Sequence, residues 1–161
     1  MSKSQRSFVG LAGALVLPLL WLSACKNPFA EKRSENGPIN SYQRMMASEK
    51  SLGTLVELRA GLAAYAKTKG HYPGKLEDIV GAGGIQNIPM LVLEDHPDTR
   101  DVMNYGDEVC VGSHVSGSNG SKLNDSGKWG YVSDPASKCF GIVFIDCAHL
   151  HSESKRYWWE Y

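Results

Sequence analysis

A long stretch without proline, from Ser41 to Lys69, constrains the fold of this chain more than any other part of its sequence. Helix-forming residues dominate it, and apolar side chains recur at spacings of three and four, which predicts one amphipathic helix. Gly70 follows, at a position where helices commonly end in a left-handed residue. Tyr72 then precedes Pro73, and a residue before proline avoids the helical region. The predicted apolar stripe consists of Leu52, Leu55, Val56, Leu62, Ala63 and Ala66, with Leu58 and Tyr65 beside it.

The residues after this helix predict loops and strands. Lys75 to Val80 is a candidate for one short second helix, which the glycine-rich residues 81–84 would end. Ser113 to Gly127 is rich in Ser, Gly and Asn and predicts a long exposed loop or a wide hairpin turn.

β-forming residues are concentrated at the end of the chain. Trp129 to Val132, Cys139 to Cys147 and Arg156 to Tyr161 are predicted strands, separated by polar turns. Two short connections favour an antiparallel meander, and the helix would cover one of its faces. The expected fold class is therefore α+β, with a long N-terminal amphipathic helix packed on a small C-terminal antiparallel sheet.

The first 24 residues have the pattern of a secretory signal peptide. Lys3 and Arg6 precede an apolar run that ends in Leu22-Ser23-Ala24, directly before Cys25. These last four residues resemble the lipobox of bacterial lipoproteins, which implies that Cys25 is acylated and begins the mature chain. We expect a signal peptide over residues 1–24, a lipidated flexible tether over 25–40 and a globular domain over 41–161. An ordinary membrane anchor, or a cleaved signal with an incidental cysteine, is the alternative.

The charge balance argues against nucleic acid as a partner. The chain has 17 basic and 17 acidic side chains, and the mature chain without Lys3 and Arg6 would be slightly acidic. Nucleic-acid binding requires a strongly basic face, which this composition does not supply.

Three cysteines remain once Cys25 is assigned to the lipid, and an oxidising compartment favours their pairing. If Cys139 and Cys147 lie in one strand, they are about 26 Å apart. A disulfide requires Cα atoms within about 7 Å, so these two should not pair with each other. Cys110 is expected to bond to one of them and to leave the other as a buried thiol, and the sequence leaves both pairings open.

Several motifs, taken together and in order, resemble the globular domain of the type II secretion pseudopilins, close to the major-pseudopilin branch of the type IV pilin superfamily. The resemblance covers roughly Ser48 to Tyr161 and implies a non-enzymatic component or accessory of a type II secretion or type IV pilus-like system that acts by protein binding. The motifs are Leu58-Arg59-Ala60-Gly61-Leu62-Ala63-Ala64-Tyr65, Gly70-His71-Tyr72-Pro73, Leu76-Glu77-Asp78-Ile79, Gly127-Lys128-Trp129-Gly130-Tyr131 and Gly141-Ile142-Val143-Phe144-Ile145-Asp146-Cys147.

The chain departs from the family at its N-terminus. Members that assemble carry Gly followed by Phe-Thr-Leu-Ile-Glu, whereas neither Gly10 nor Gly13 has Glu at the fifth position after it. Pro28, Gly37 and Pro38 also interrupt the helical stalk of that family. We therefore expect a pseudopilin-like domain on a lipid anchor that does not polymerise in the usual way. An uncleaved, bitopic minor pseudopilin is the alternative within the family.

Metal binding receives little support from the sequence. His149 and His151 alternate beside Asp146 and Cys147, and these residue types bind zinc, but no Cys-x-x-Cys or His-Glu-x-x-His motif accompanies them. Members of the resembling branch bind calcium in the late loop, which makes Asn124, Asp125 and Asp134 candidate oxygen ligands. Asp and Asn are also ordinary turn residues. We predict no metal site and no cofactor, with calcium as the alternative.

No catalytic motif is present. A Gly-x-Ser-x-Gly elbow is absent, and residues 81–84 lack the Gly-Lys-Ser/Thr that completes a phosphate loop. We therefore expect a protein that is not an enzyme.

The densest aromatic cluster stands at the end of the sequence and is a candidate protein-binding patch, since exposed aromatic area is typical of interfaces. The expected function is that of an exported lipoprotein at the bacterial cell envelope. It would be attached through Cys25 and would bind proteins of a secretion or pilus-like apparatus. Lys26 after the cysteine is compatible with the outer membrane, and the sequence leaves inner and outer membrane open. A lipid-anchored module that binds a small ligand or carbohydrate is the alternative. The aromatic cluster consists of Tyr157, Trp158, Trp159 and Tyr161.

Overall fold

A computed structural model describes residues 41–81, 84–117 and 122–161. The predicted signal peptide, Cys25 and the tether lie outside these residues. The described chain is α+β, as expected. Its elements are helix α1 (Ser41–Lys69) and strands β1 (Val102–Tyr105), β2 (Cys110–Val111), β3 (His114–Val115), β4 (Lys128–Val132) and β5 (Val143–Asp146), with short 3-10 helices at Leu76–Ile79, Asp107–Val109 and Trp158–Glu160.

Helix α1 ends where the sequence predicts. Gly70 has a φ of 80°, and its N–H donates to the carbonyl of Ala66 at 2.8 Å, which closes the last turn. Lys67 and Lys69 lie in that turn, where a cation interacts favourably with the negative end of the helix dipole.

The buried stripe of α1 differs from the predicted one. Val56 is 64% exposed and Ala63 is also exposed. Two serines are buried in their place, because Ser51 Oγ donates to the carbonyl of Val92 at 3.0 Å and accepts the Val92 N–H at 3.1 Å. These bonds satisfy polar atoms that burial would otherwise penalise. The buried face is Ser48, Ser51, Leu55, Leu58, Gly61 and Leu62.

The sheet is mixed, so the predicted antiparallel meander is wrong. The strand order is β1-β4-β5, in which β4 pairs antiparallel with β5 and parallel with β1. Val102 to Tyr105 was not among the predicted strands, although it pairs along its whole length with β4. A second, two-stranded sheet joins β2 to β3.

Two predicted strands are shorter than expected or absent. Residues 139–142 form turns, so only Val143–Asp146 of the apolar run is a strand. The stretch from Arg156 to Tyr161 contains the 3-10 turn Trp158–Glu160 and a single bridge from Tyr157 to Leu150. The chain turns here because Trp158 is buried in the core, which an extended edge strand would not achieve.

Both faces of the sheet are covered. Trp129, Tyr131 and Ile145 face α1 and belong to the main core, while Val132 and Phe144 face a second cluster with Tyr105. The alternation along β4 and β5 follows from the two-residue period of strands. A strand buried on both faces has apolar residues at every position, which explains the continuous apolar run of β5.

A disulfide joins Cys110 to Cys139, and Cys147 is a buried free thiol. The sequence had left open which partner Cys110 takes. Among the described residues, no helix combines the length and the hydrophobicity that crossing a membrane requires.

Candidate functional site

Four side chains with metal-binding chemistry meet at the end of β5. They are His96, Asp125, Cys147 and His149, and we call them the His–Asp–Cys cluster. One ligand atom from each lies within 4.8 Å of the other three. The four residues come from three loop segments that converge on the edge of the sheet.

The two contacts of Asp125 within the cluster are longer than ordinary hydrogen bonds, whereas the sulfur contact of Cys147 has an ordinary length. Asp125 Oδ1 lies 3.4 Å from His96 Nε2 and 3.5 Å from His149 Nδ1, and Cys147 Sγ lies 3.5 Å from His149 Nδ1. Hydrogen bonds from nitrogen to oxygen are normally 2.7–3.2 Å long. The imidazoles of His96 and His149 meet edge to face, with ring centroids 5.1 Å apart.

Of the two histidines in the cluster, His96 is more buried than His149. Its side chain is 11% exposed, and its Nε2 is a buried atom that lacks a hydrogen-bond partner within the described residues. The ring lies directly on the backbone of Gly127, where an added Cβ would stand 2.3 Å from His96 Cγ. Gly127 also has a φ of 68°, so the position requires glycine for two separate reasons.

Asp125 is held in place by the loop that precedes β4. The buried carboxylate of Asp146 accepts the N–H groups of Asp125 and Ser126 at 3.2 and 3.1 Å, and the carbonyl of Asp146 accepts the Gly127 N–H at 2.8 Å. Asp125 itself has a φ of 51°, which is uncommon for a residue with a side chain. Its Oδ1 accepts the N–H of Ala148 at 2.7 Å, so the carboxylate is aimed at the cluster.

Cys147 supplies a buried sulfur. It directly follows β5 and lies on the same face as Ile145, which is the face that packs on α1. Its side chain belongs to the main core. Burial raises the pKa of this thiol to about 12, with the negative charges of Asp125, Asp95 and Asp146 adding to the effect. Without a cation nearby, the sulfur is therefore a neutral thiol at physiological pH.

No protein-family model, curated protein or solved structure matches this chain.

The residues that the sequence grouped for zinc do not all meet. Cys147 and His149 belong to the His–Asp–Cys cluster, but Asp146 is committed to the loop before β4. His151 is buried elsewhere, with its Nε2 2.8 Å from Glu49 Oε1 on α1. Its Nδ1 accepts the N–H groups of Glu153 and Ser154 at 3.3 Å, which places the ring proton on Nε2 in the neutral form.

The calcium candidates lie at the two ends of β4. Asp125 precedes this strand, and Asp134 follows it and accepts the N–H of Ala136 in a turn. Asn124 donates its backbone N–H to the hydroxyl of Tyr105 at 3.1 Å. Since β4 has five residues, it separates the two carboxylates by roughly 15 Å. They are not ligands of one ion in this geometry.

The aromatic residues at the end of the chain form a second site. Trp158 is buried and Tyr157 is 42% exposed, while Trp159 and Tyr161 are half-buried. The rings of Tyr157 and Trp159 stack, with centroids 5.8 Å apart and an interplanar angle of 12°. Tyr157 is the extended residue that precedes the 3-10 turn, and Trp159 lies within that turn.

A cleft of about 540 Å³ borders the aromatic residues. Helix α1 contributes Arg59, which donates to the carbonyl of Val143 at 3.2 Å and to the main-chain oxygen of Tyr161. Burial lowers the pKa of Arg59 from its usual value. The remaining walls of the cleft come from β3, residues 142–144 and the C-terminal turn, including His114, Phe144 and Arg156.

His96 is the cluster residue that the sequence did not single out. It stands in a polar segment 29 positions before Asp125, without any ligand motif around it. The sequence did mark Cys147 and His149 together as zinc candidates, and Asp125 separately as a calcium candidate. Only the packing of the His96 loop on Gly127 brings the four together.

Proposed function

We propose that this chain is an exported, lipid-anchored, non-enzymatic protein whose pseudopilin-like domain binds proteins of a secretion or type IV pilus-like apparatus. The observation that carries the proposal is a set of contacts among the motifs on which the resemblance rests. The Tyr131 hydroxyl donates to the carbonyl of Pro73 at 2.6 Å, which joins the Trp-Gly-Tyr strand to the Gly-x-Tyr-Pro exit.

The motif from Gly141 to Cys147 meets the same exit. The ring of Tyr72 lies against the backbone of Gly141, where an added Cβ would stand 2.3 Å from Tyr72 Cγ. Gly141 has a φ of 88°, so this turn favours glycine. These three motifs thus form one connected substructure, which supports the view that they belong together.

The disulfide supports the exported location. Cys110 and Cys139 are bonded, and disulfides persist in oxidising compartments outside the cytoplasm. Export requires the predicted signal peptide, and acylation of Cys25 would hold the mature protein at the membrane. The tether would let the domain move by about 20 Å from the bilayer surface if it behaves as a coil.

The binding surface in this proposal is the C-terminal aromatic end. Tyr157 and Leu150 are 42% and 50% exposed and are linked by a backbone bridge. Aromatic side chains are enriched at protein interfaces because they bury a large area at a small entropic cost. Recognition would rest on this apolar surface and on the adjoining sheet edge.

The anchor is tested by intact-mass spectrometry of the membrane-extracted protein beside a Cys25→Ala variant. We expect a chain that starts at Cys25 and carries acyl mass such as palmitate, and we expect the variant to lose both. An unlipidated chain that keeps its N-terminal apolar run would contradict the proposal and favour the bitopic minor pseudopilin.

The partner is tested in the same membranes with a photo-crosslinking amino acid at position 157, and with one at exposed Val56 as the control. We expect position 157 alone to yield a product whose second protein is a secretion or pilus-like component. Equal crosslinking from both positions, or no such component at position 157, would refute the assigned surface.

The cleft beside the aromatic residues favours a second candidate function, capture of a small ligand. Arg59, Arg156 and Trp159 line it together with Glu160, so two cationic groups, one carboxylate and an aromatic ring border the same space. This combination suits a small anionic or carbohydrate ligand. Retention of such a ligand by the purified protein, lost on Trp159→Ala, would support this reading over the first.

A further inference from the structure

We propose that the His–Asp–Cys cluster is a structural zinc site, with His96, Asp125, Cys147 and His149 as its four ligands. Zinc is bound in proteins by imidazole nitrogen, thiolate sulfur and carboxylate oxygen, most often four in number and tetrahedral. This inference is independent of the proposed secretion function.

The distances suit a tetrahedral ion. Ligands 2.0–2.3 Å from a central zinc are separated from one another by about 3.3–3.7 Å. The separations of 3.4, 3.5 and 3.5 Å along the path His96–Asp125–His149–Cys147 fall in that range. The remaining pairs lie within 4.8 Å, so a small inward movement completes the coordination shell.

The unpartnered nitrogen of His96 points to the same conclusion. A buried polar atom normally has a hydrogen-bond partner, because leaving it without one is costly. His96 Nε2 is a buried atom that makes no hydrogen bond within the described residues, and its ion-pair contact with Asp125 Oδ1 is long, at 3.4 Å. A metal ion between these two atoms would bind the free nitrogen of His96, and Asp125 Oδ1 would bind it while keeping the Ala148 N–H.

The charges of the ligands match a divalent ion. Binding forms a zinc–sulfur bond, and the thiol proton of Cys147 leaves to solvent. One thiolate, one carboxylate and two neutral imidazoles then balance the charge of Zn²⁺. Calcium prefers oxygen ligands only, so nitrogen and sulfur favour zinc over calcium.

The surroundings hold the ligands in position. Ala148 donates its N–H to Asp125 Oδ1, and Asp146 fixes the backbone of the Asp125 loop. Such outer contacts orient ligands and raise metal affinity. With four protein ligands no position is left for substrate, which is typical of structural and not of catalytic zinc.

The test measures zinc binding by the full chain carrying Cys25→Ala, so that Cys147 is the only cysteine outside the disulfide. The protein is treated with a chelator, and Zn²⁺ is titrated against a chromogenic competitor. We expect one equivalent to bind, with affinity reduced about 100-fold or more by His149→Ala or Cys147→Ser. His149 is 45% exposed, so its replacement should leave the fold intact, and His114→Ala serves as the matched control for an exposed histidine.

Cobalt gives a direct signature of the sulfur ligand. The chelator-treated protein is loaded with Co²⁺, and a bound thiolate gives a charge-transfer absorption in the near ultraviolet. This band should be present in the His114→Ala protein and absent after Cys147→Ser. If zinc binds equally well to the His149→Ala and His114→Ala proteins, or if no thiolate–cobalt band appears in the protein with Cys147, the site is wrong.

Discussion

At the scale of single residues, the molecule depends on a few glycines whose missing side chains make room for rings. Gly127 accommodates His96, Gly130 accommodates Phe144 and Gly141 accommodates Tyr72, each with less than 3 Å between the ring and an added Cβ. The sequence shows many glycines but does not distinguish these from the glycines of open turns. These three glycines differ from those of open turns because each contacts the ring of a residue that is distant in the sequence.

Gly127→Ala should destabilise the protein more than Gly112→Ala. Both glycines have a φ of 68°, so both variants bear the cost of about 1–2 kcal/mol for a left-handed alanine. At Gly112 an added Cβ meets nothing within 4 Å, whereas at Gly127 it meets His96. The overlap should add about 1–3 kcal/mol to the loss in the free energy of unfolding, measured by urea titration.

Equal losses for the two variants would show that His96 moves aside without cost. That outcome would also weaken the case that the His96 loop is firmly seated on the strand.

At the scale of elements, β4 is the centre of the structure. It pairs with β1 and β5, and through Tyr131 it reaches the chain that leaves α1. Burial raises the pKa of Tyr131, and also that of Tyr105, well above the usual range for tyrosine. Both phenols are therefore kept neutral by the fold.

The buried tyrosines make the stability of the protein depend on pH in the alkaline range. In the unfolded chain a tyrosine loses its proton near pH 10, whereas buried Tyr131 keeps it to higher pH. The unfolded state then binds fewer protons, so stability is fully present below pH 10 and falls as the pH rises further. In this pH range each such tyrosine lowers the free energy of unfolding by at most about 1.4 kcal/mol per pH unit.

Tyr131→Phe should reduce the alkaline decline by removing one of these groups. At pH 7 the variant should be less stable by about 1–2 kcal/mol, because the Pro73 carbonyl loses its buried donor. Urea unfolding between pH 7 and pH 11 measures both effects. Tyr42→Phe is the control, since Tyr42 is 66% exposed and should change neither value. An unchanged alkaline slope in Tyr131→Phe would contradict the assignment.

At the scale of the whole molecule, the disulfide ties the second sheet to the turn before β5. Cys110 and Cys139 are 29 residues apart, and closing a loop of that length is worth about 3–4 kcal/mol in the chain-entropy model. The second core cluster contains Cys139 and is small, so it depends on this link.

Removing the disulfide with Cys110→Ser and Cys139→Ser together should lower the free energy of unfolding by about 3–4 kcal/mol. The wild-type protein should fall to a similar value in reductant, and the double variant should not respond to reductant at all. Thermal unfolding with and without reductant measures this. A wild-type protein that is indifferent to reductant would refute the stabilising role.

The sequence by itself determined the elements whose signals are local. The end of α1 follows from Gly70 and Pro73, and the helix runs through the described part of the proline-free amphipathic stretch. The short helical turn at Leu76–Ile79 follows from its own residues. The α+β class follows from the separation of helical and β-forming residues along the chain. The predictions of a signal peptide, of lipidation at Cys25 and of a pseudopilin-like function also rest on local motifs and remain predictions.

Tertiary structure alone decided what depends on distant partners. The parallel pairing of β1 with β4 joins residues that share no local signal, and the burial of Trp158 turns a stretch of β-forming residues into a 3-10 turn. The buried face of α1 includes Ser51 because Val92 lies opposite it. The His–Asp–Cys cluster has the same origin, since its members are brought together only by the packing of three loops at the end of β5.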